Sequence, residues 1–278
     1  MKTAIVCGAS SGLGLYIARA LCGAGYRVYA GARSFAQTEA EAGGMQKLPL
    51  DVSSEESAQA FIDAVCAREK EIDILINCAG ILNLGSCEET SLEEYSKVIN
   101  INTLGSIRMA KKVLPIMRAQ GHGRILQLSS VNGVLGIPFQ SAYTLSKHAL
   151  EGFYECLRLE AKPFGIEVTL IEPGDHRGGS DKYRGHAAAI GDGSPYSEHY
   201  RSATEQIAHD EHNGSSPEKL GKAVVRLLKR KRLPLRKVIA KPDQRLAVIL
   251  HRILPGVLFQ NLFIDTYYRK RMVGKAKK

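Results

Sequence analysis

The chain predicts an α/β fold: a doubly wound parallel sheet covered by helices on both faces, in a single domain with a helical, basic C-terminal extension. Three observations carry this. Short apolar runs alternate with helix-period segments from Thr3 to Ile171. A glycine-rich turn, Gly8 to Gly14, joins the first run to the first helix. The runs Ile72–Asn77 and Ile166–Ile171 are almost wholly apolar, as strands buried on both faces are.

The elements follow in order. Thr3–Cys7 is the first strand, and an apolar-periodic helix runs from the glycine turn to about Cys22. Tyr26–Ala30 and Gln46–Leu50 read as the second and third strands. Ser54–Glu69 reads as a helix with Ser54 as N-cap and Ser57 close behind. After the strand Ile72–Asn77 come two helices, about Ser91–Asn100 and Thr103–Gln120. A strand ending at Ser130, a helix from about Ser141 to Pro163 and the strand Ile166–Ile171 complete the alternation. Residues 1–242 form the α/β domain in this reading, with a long polar loop at about 175–215, and 243–278 form the extension.

Composition bounds the class. The 278 residues are 44% hydrophobic and 24% charged, enough for one large core. Six cysteines without a C-x-x-C pair read as small buried residues in a reducing compartment, so a cytoplasmic location is expected. A strand so close to Met1 leaves no room for a signal peptide, and no apolar run reaches the ~18 residues that span a bilayer. Eight histidines form no H-E-x-x-H or Cys/His cluster, so no metal is expected. The net charge of +10 is uneven: residues 219–278 hold 18 of the 38 Lys+Arg and only Asp243 and Asp265 of the 28 acids. That leaves the end at +16 and the body at −6, which directs any polyanionic partner to the end.

Glycines at 8, 12 and 14 let a first βα turn approach a pyrophosphate, with helix N–H groups facing the anion. The same stretch also matches G-x-S-x-G with Ser10 in the nucleophile place, so a serine hydrolase is the rival reading. Such an elbow normally follows several strands, and Ser10 follows one. At the end of the second strand stand Ala32 and Arg33 with no acid before Glu39; an Arg there suits a ribose 2′-phosphate, so NADP(H) is expected over NAD(H), the alternative being a solvated surface Arg.

Tyr143 and Lys147 stand four apart on one helix. A cation beside a phenol stabilises the phenolate, which would bring a tyrosine from ~10 toward the range a general acid/base needs. Ser130 ends a strand thirteen residues earlier and could meet the phenol once the chain loops back. A Tyr and a Lys at this spacing are usually a packed ring and a solvated amine; the surrounding motifs decide.

Those motifs resemble the short-chain dehydrogenase/reductase family over roughly residues 3–175. Gly8-x-x-x-Gly12-x-Gly14 resembles its cofactor turn, Asp51-Val52 the pair bordering the adenine, Asn77-Cys78-Ala79-Gly80 its N-N-A-G and Asn102-Thr103-Leu104-Gly105 its N-x-x-G. Ser130, Tyr143 and Lys147 resemble the remaining catalytic positions. The resemblance implies a Rossmann-type fold and an NADP(H)-dependent oxidoreductase. In it Tyr143 is the acid/base, Ser130 binds the substrate oxygen, Lys147 holds the nicotinamide ribose, and Asn102 anchors a water in the proton relay. It implies cofactor contacts from Gly8, Ser10, Ser11, Gly12, Leu13, Gly14, Arg33, Asp51, Val52, Asn77, Ala79, Gly80, Tyr143, Lys147, Pro173 and Gly174. Two departures stand out: Cys78 replaces the second Asn, and Gly178 occupies the Thr place after Pro173-Gly174, where Ser180 could substitute. His148 would face away from Lys147 and is taken as structural. The stretch 130–165 resembles 17β-hydroxysteroid and retinol dehydrogenase-like members, which implies an apolar carbonyl or alcohol as substrate. A non-catalytic NADP-binding scaffold or sensor is the other class considered.

Residues 175–215, rich in Gly, His, Ser and Asp, read as a lid or a mobile stretch, with Tyr196, Tyr200 and Ile207 as candidate lining. From Gln244 to Leu254 apolar residues alternate with Arg245, His251 and Arg252; Pro255-Gly256 breaks the pattern, and apolar clusters then run into a Lys-rich tail. The segment reads as a helix over the substrate cleft or against a second subunit, in a homodimer or homotetramer. Its second reading is a peripheral contact with an anionic membrane. No recognition motif accompanies the charge, so nucleic acid is not expected.

Overall fold

Alternation along the central strand sorts the core into two layers. In β1 (Thr3–Cys7), Ala4 and Val6 face one side and Ile5 and Cys7 the other, all fully buried. The computed structural model describes residues 1–35, 39–41, 45–178, 184–191 and 193–268. The first half of the chain continues through α1 (Gly12–Gly23), β2 (Arg27–Ala32), β3 (Glu39–Glu41), β4 (Met45–Pro49), α2 (Glu55–Cys66), β5 (Ile74–Asn77), β6 (Leu82–Leu84), α3 (Leu92–Ile99) and α4 (Gly105–Gln120). It is completed by β7 (Gly123–Leu128), α5 (Ser141–Ala161), β8 (Ile166–Pro173), β9 (Arg184–His186), α6 (Ser197–His212), α7 (Pro217–Leu228), β10 (Arg236–Ile239), α8 (Pro242–Ile253) and α9 (Gly256–Tyr268).

The main sheet has the order β10-β8-β7-β5-β1-β2-β4-β3, and every neighbouring pair is parallel except β3 with β4. On one face α2, α4 and α5 pack Phe61, Val113 and Leu150 against Ile5, Leu75 and Val168. On the other, α1 and α7 pack Ile17, Leu21 and Val224 against Ala4, Val6 and Ile76. Each of the Ile, Leu, Val and Phe side chains among them contributes about 1.5–3 kcal/mol through burial. The doubly wound expectation is therefore met. The chain builds outward from β1 through β2 and β4, then crosses back to β5 on the other side of β1. That reversal opens a crevice beyond the carboxyl ends of β1 and β5.

Local chemistry sets the helix starts. Ser54 caps α2 by accepting from the Ser57 amide at 3.1 Å, as its sequence position predicts. Ser91 and Glu94 form a reciprocal capping box at α3. Between α3 and α4, residues Asn100–Leu104 form a π-helical turn, where the sequence pattern gave only a break between two helices.

Two parts of the chain differ from expectation, and a third agrees with it. The stretch 175–215 contains β9, paired with β6, and the sixteen-residue α6. Its buried stripe is only Ala203 and Ile207 with half-buried Tyr200, too thin a signal among His, Glu and Arg to predict a helix. Arg236–Ile239 is an additional parallel strand, hidden by its two leading cations. Gln244–Leu254 is helical, and Pro255-Gly256 divides α8 from α9 as read.

Candidate active site

The crevice is a cleft of about 690 Å³, within the roughly 300–1,000 Å³ of small-molecule sites. One end is built by the glycine turn. Gly8 takes φ +76°, and a Cβ there would stand 2.6 Å from the Ala79 backbone; a Cβ on Gly14 would stand 2.2 Å from the Gly8 carbonyl oxygen. The Gly8 and Ala9 amides both donate to Gly31 O, which ties the turn to the end of β2. The first turn of α1 carries no acid, so the positive end of its dipole is unopposed there. Of the positions expected to contact a cofactor, Ser10, Ser11, Gly12, Leu13, Arg33, Asp51, Val52, Ala79, Gly80, Pro173 and Gly174 line the same cleft. Asp51 accepts from the Ser53 hydroxyl and amide at 2.6 and 2.9 Å, and these bonds, with Arg33 and Arg108 nearby, hold its carboxyl below the usual range.

Asn77 is placed differently. It is buried and absent from the lining: its amide donates to Tyr154 Oη at 2.9 Å and to the Ser106 carbonyl, so it joins a core network under the sheet. Cys78, next in sequence, lines the cleft, and burial pushes its thiol up to about 12.

The other end brings Ser130, Tyr143 and Lys147 together. Ser130 follows β7; its Oγ donates to Asn132 Oδ1 and receives the Asn132 amide, both at 3.2 Å, and its hydroxyl lies close enough to Tyr143 to favour the phenolate. Lys147 is buried, donates to Leu128 O at 2.9 Å and stands 5.4 Å from the centroid of the Tyr143 ring. Asn102 sits just behind, fully buried in the π-helical turn. Its Oδ1 accepts from the Ile81 amide at 2.8 Å, and its Nδ2 donates to Ile81 O and Ser146 Oγ. His148 is exposed and bonds Thr144 O at 3.0 Å, away from the site as read.

The electrostatics correct one expectation. Tyr143 is not depressed toward neutrality: burial pushes it up to about 12, the Ser130 hydroxyl opposes this, and Glu211 and Asp175 add to it. The same burial pulls Lys147 down to about 8, against Cys78 and Glu151. Desolvation of both groups outweighs the attraction that their spacing promised.

Behind Lys147, Glu151 accepts from Arg236 Nε at 2.8 Å. Fully buried Glu172 stands 3.3 Å from the same nitrogen, and burial with the Glu151 charge pushes it up to about 7.

Beyond Tyr143 the wall turns apolar, with Leu82, Leu135, Ile137, Ile207, Phe263 and Tyr267. Asp175, His176, Asp210 and Glu211 interrupt it. Asp175 is pushed up to about 6 by burial and by the charges of Asp210 and Glu211. Sequence reasoning missed Asp210 and Glu211 because their helix was missed, and it read 175–215 only as a polar stretch over the substrate. Ser180 lies outside the described residues. Gly178 takes φ +67°, a left-handed conformation that the family's Thr would adopt only with strain.

Residues 2–186 match the family model for short chain dehydrogenase. The chain belongs to the short-chain dehydrogenase/reductase family. Among its relatives in that family is the 3-ketodihydrosphingosine reductase of Bacteroides thetaiotaomicron, 34% identical over 256 residues, covering 92% of this chain and 94% of that protein. Retinol dehydrogenase 8 of Bos taurus is 32% identical over 255 residues, covering 85% and 80%. A short-chain dehydrogenase from Streptomyces avermitilis has a fold that superposes with a TM-score of 0.81 at 30% identity, over 98% of both chains. Short-chain dehydrogenases bind a nicotinamide dinucleotide, and the cleft fits one: a glycine cradle that any Cβ would obstruct, a helix start without acids, and a buried cation at the far end. Membership makes this chain an oxidoreductase, and the hydrolase reading of Ser10 falls with it.

Proposed function

We propose that this short-chain dehydrogenase is an NADP(H)-dependent reductase of a long apolar ketone or aldehyde, with Tyr143 as proton donor. The observation that carries the reading is the position of the Ser130–Tyr143 pair, at the junction between the glycine-lined half of the cleft and its apolar half. The cofactor, when bound, supplies the hydride; the protein supplies position and electrostatics. Ser130 Oγ and Tyr143 Oη together hold the carbonyl oxygen. A phenol held near 12 keeps its proton at neutral pH, so its resting state is the acid that reduction requires. Lys147, 5.4 Å from the Tyr143 ring centroid, would hold a ribose hydroxyl of the cofactor and offset the charge left when the phenol gives up its proton. Asn102 keeps the Ile81 backbone in place beside them, where a water can hand the proton on.

Arg33 at the end of β2 supports preference for the 2′-phosphate, since it lines the cleft on the Asp51 side. The lipid-like names of two relatives agree with the apolar wall. The test is a panel of steroid, retinoid and long-chain ketones and alcohols, followed by NADPH absorbance. Turnover rising with chain length is expected. NADPH binding with no carbonyl reduced would leave a non-catalytic sensor instead.

A further inference from the structure

The helices α8 and α9 have an inner face committed to the cleft and an outer face that meets nothing in the described chain. Inward, Val248 and Phe259 are buried against Val131 and Leu135, and Phe263 and Tyr267 line the cleft. Outward, α8 exposes Leu246, Ile249 and Ile253, spaced i, i+3, i+7 along one stripe. On α9, Val257 and Ile264 (i, i+7) and Leu258 and Leu262 (i, i+4) are exposed likewise. These seven are more than half of the thirteen large apolar side chains exposed in the described residues, gathered on two helices of 12 and 13 residues. Such a concentration marks an interaction surface.

The charge around it selects the occupant. Arg245 and Arg252 are exposed, seven residues apart on α8, and flank the Leu246 stripe on one side. In sequence, residues 269–278 follow α9 directly and add six Lys or Arg and no acid. A second copy meeting this face about a two-fold axis would bring the same cations of both chains together. An anionic bilayer offers headgroups to the cations and acyl chains to the stripe. No helix among the described residues is long and apolar enough to cross a membrane, so the helices would lie on it.

We propose that the outer face of α8–α9 docks on an anionic lipid surface, with Leu246, Ile249, Ile253 and Val257 entering the acyl boundary and Arg245 and Arg252 on the headgroups. On the proposed function, the same helix that meets the bilayer also lines the apolar end of the cleft through Phe263 and Tyr267.

The test uses the full chain and sedimentation with sucrose-loaded vesicles, which reads docking without turnover and so stands apart from the catalytic assignment. Vesicles of phosphatidylcholine with phosphatidylglycerol should pull the chain down. Phosphatidylcholine alone, or about 0.5 M salt, should reduce the bound fraction at least about fivefold. The double variant Ile249→Gln/Val257→Gln should lose about tenfold in binding, with the thermal midpoint and turnover of a short soluble ketone unchanged. Three results would overturn the proposal: a wild-type chain left in the supernatant with either vesicle, equal sedimentation of wild type and double variant, or a soluble dimer that the double variant dissociates and that binds no vesicle.

Discussion

Lys147 donates to the Leu128 carbonyl at 2.9 Å while its ammonium stands 5.4 Å from the centre of the Tyr143 ring. The lysine is thus anchored to the end of β7 and not to the phenol oxygen, which is left to Ser130 and substrate. The two groups share one end of the cleft, and burial shifts each of them more than their mutual attraction does.

Replacing Tyr143 by Phe removes the proton donor and leaves the packing. Turnover should fall by about 10²–10⁴-fold or more, with cofactor affinity changed by less than about threefold. Steady-state rates and cofactor fluorescence titration check this. Retained activity would take Tyr143 out of the chemistry.

A lysine pulled down to about 8 loses its charge as pH rises through that value, while Tyr143, near 12, keeps its proton. In the reducing direction, kcat/KM for the reduced cofactor should therefore drop as pH rises through about 8. In Lys147→Arg, whose charge does not titrate, that drop should vanish at a lower plateau. A wild-type profile flat to high pH would show that Lys147 stays charged.

Arg33→Ala should weaken NADPH by about 10–100-fold, the equivalent of the roughly 1.5–3 kcal/mol of a hydrogen bond to a charged group, and NADH by less than about threefold. Equal weakening of both would mean that Arg33 reads no phosphate.

Glu172 faces Glu151 from α5, Arg236 from its own sheet neighbour and Arg252 from α8. Its folded value, about 7, lies above the ordinary 4.5. Between those pH values the folded chain holds a proton that the unfolded chain has lost, so stability falls as pH rises, by about 3 kcal/mol at most. Asp175 adds to this slope and His176, whose value burial lowers, opposes it, so the contrast with a variant is the useful quantity. Denaturant unfolding of wild type and Glu172→Gln should show the variant gaining on wild type from pH 4.5 to 7. Parallel profiles would contradict it.

Much of this was legible in the sequence, for reasons that differ along the chain. The strands around β1 were readable because both faces are buried and nearly every position is apolar, and the Gly8–Gly14 turn because only glycine allows its close backbone approach. Ser130, Tyr143 and Lys147 were found because helix geometry and motif order constrain them jointly. Helix α6 was not, because most of its side chains face solvent or the polar part of the cleft, so no apolar period survives. The placement of Asn77 was hidden for another cause: a strand-end amide can point to the cleft or to the core, and its partners Tyr154 and Ser106 lie 77 and 29 residues away. The phenol's high value was likewise invisible, since it depends on how much water the folded walls exclude.

The π-helical turn at Asn100–Leu104 has a consequence for sequence change. Such a turn holds one residue more than an α-turn. Removing a single codon there would let α3 and α4 fuse into one regular helix with the flanking residues still in register, and the bulge that presents Asn102 would be lost. Asn102 would then lose both of its bonds to Ile81, although every residue outside the turn would be unaltered in identity. This stretch should tolerate substitution far better than a shortening by one.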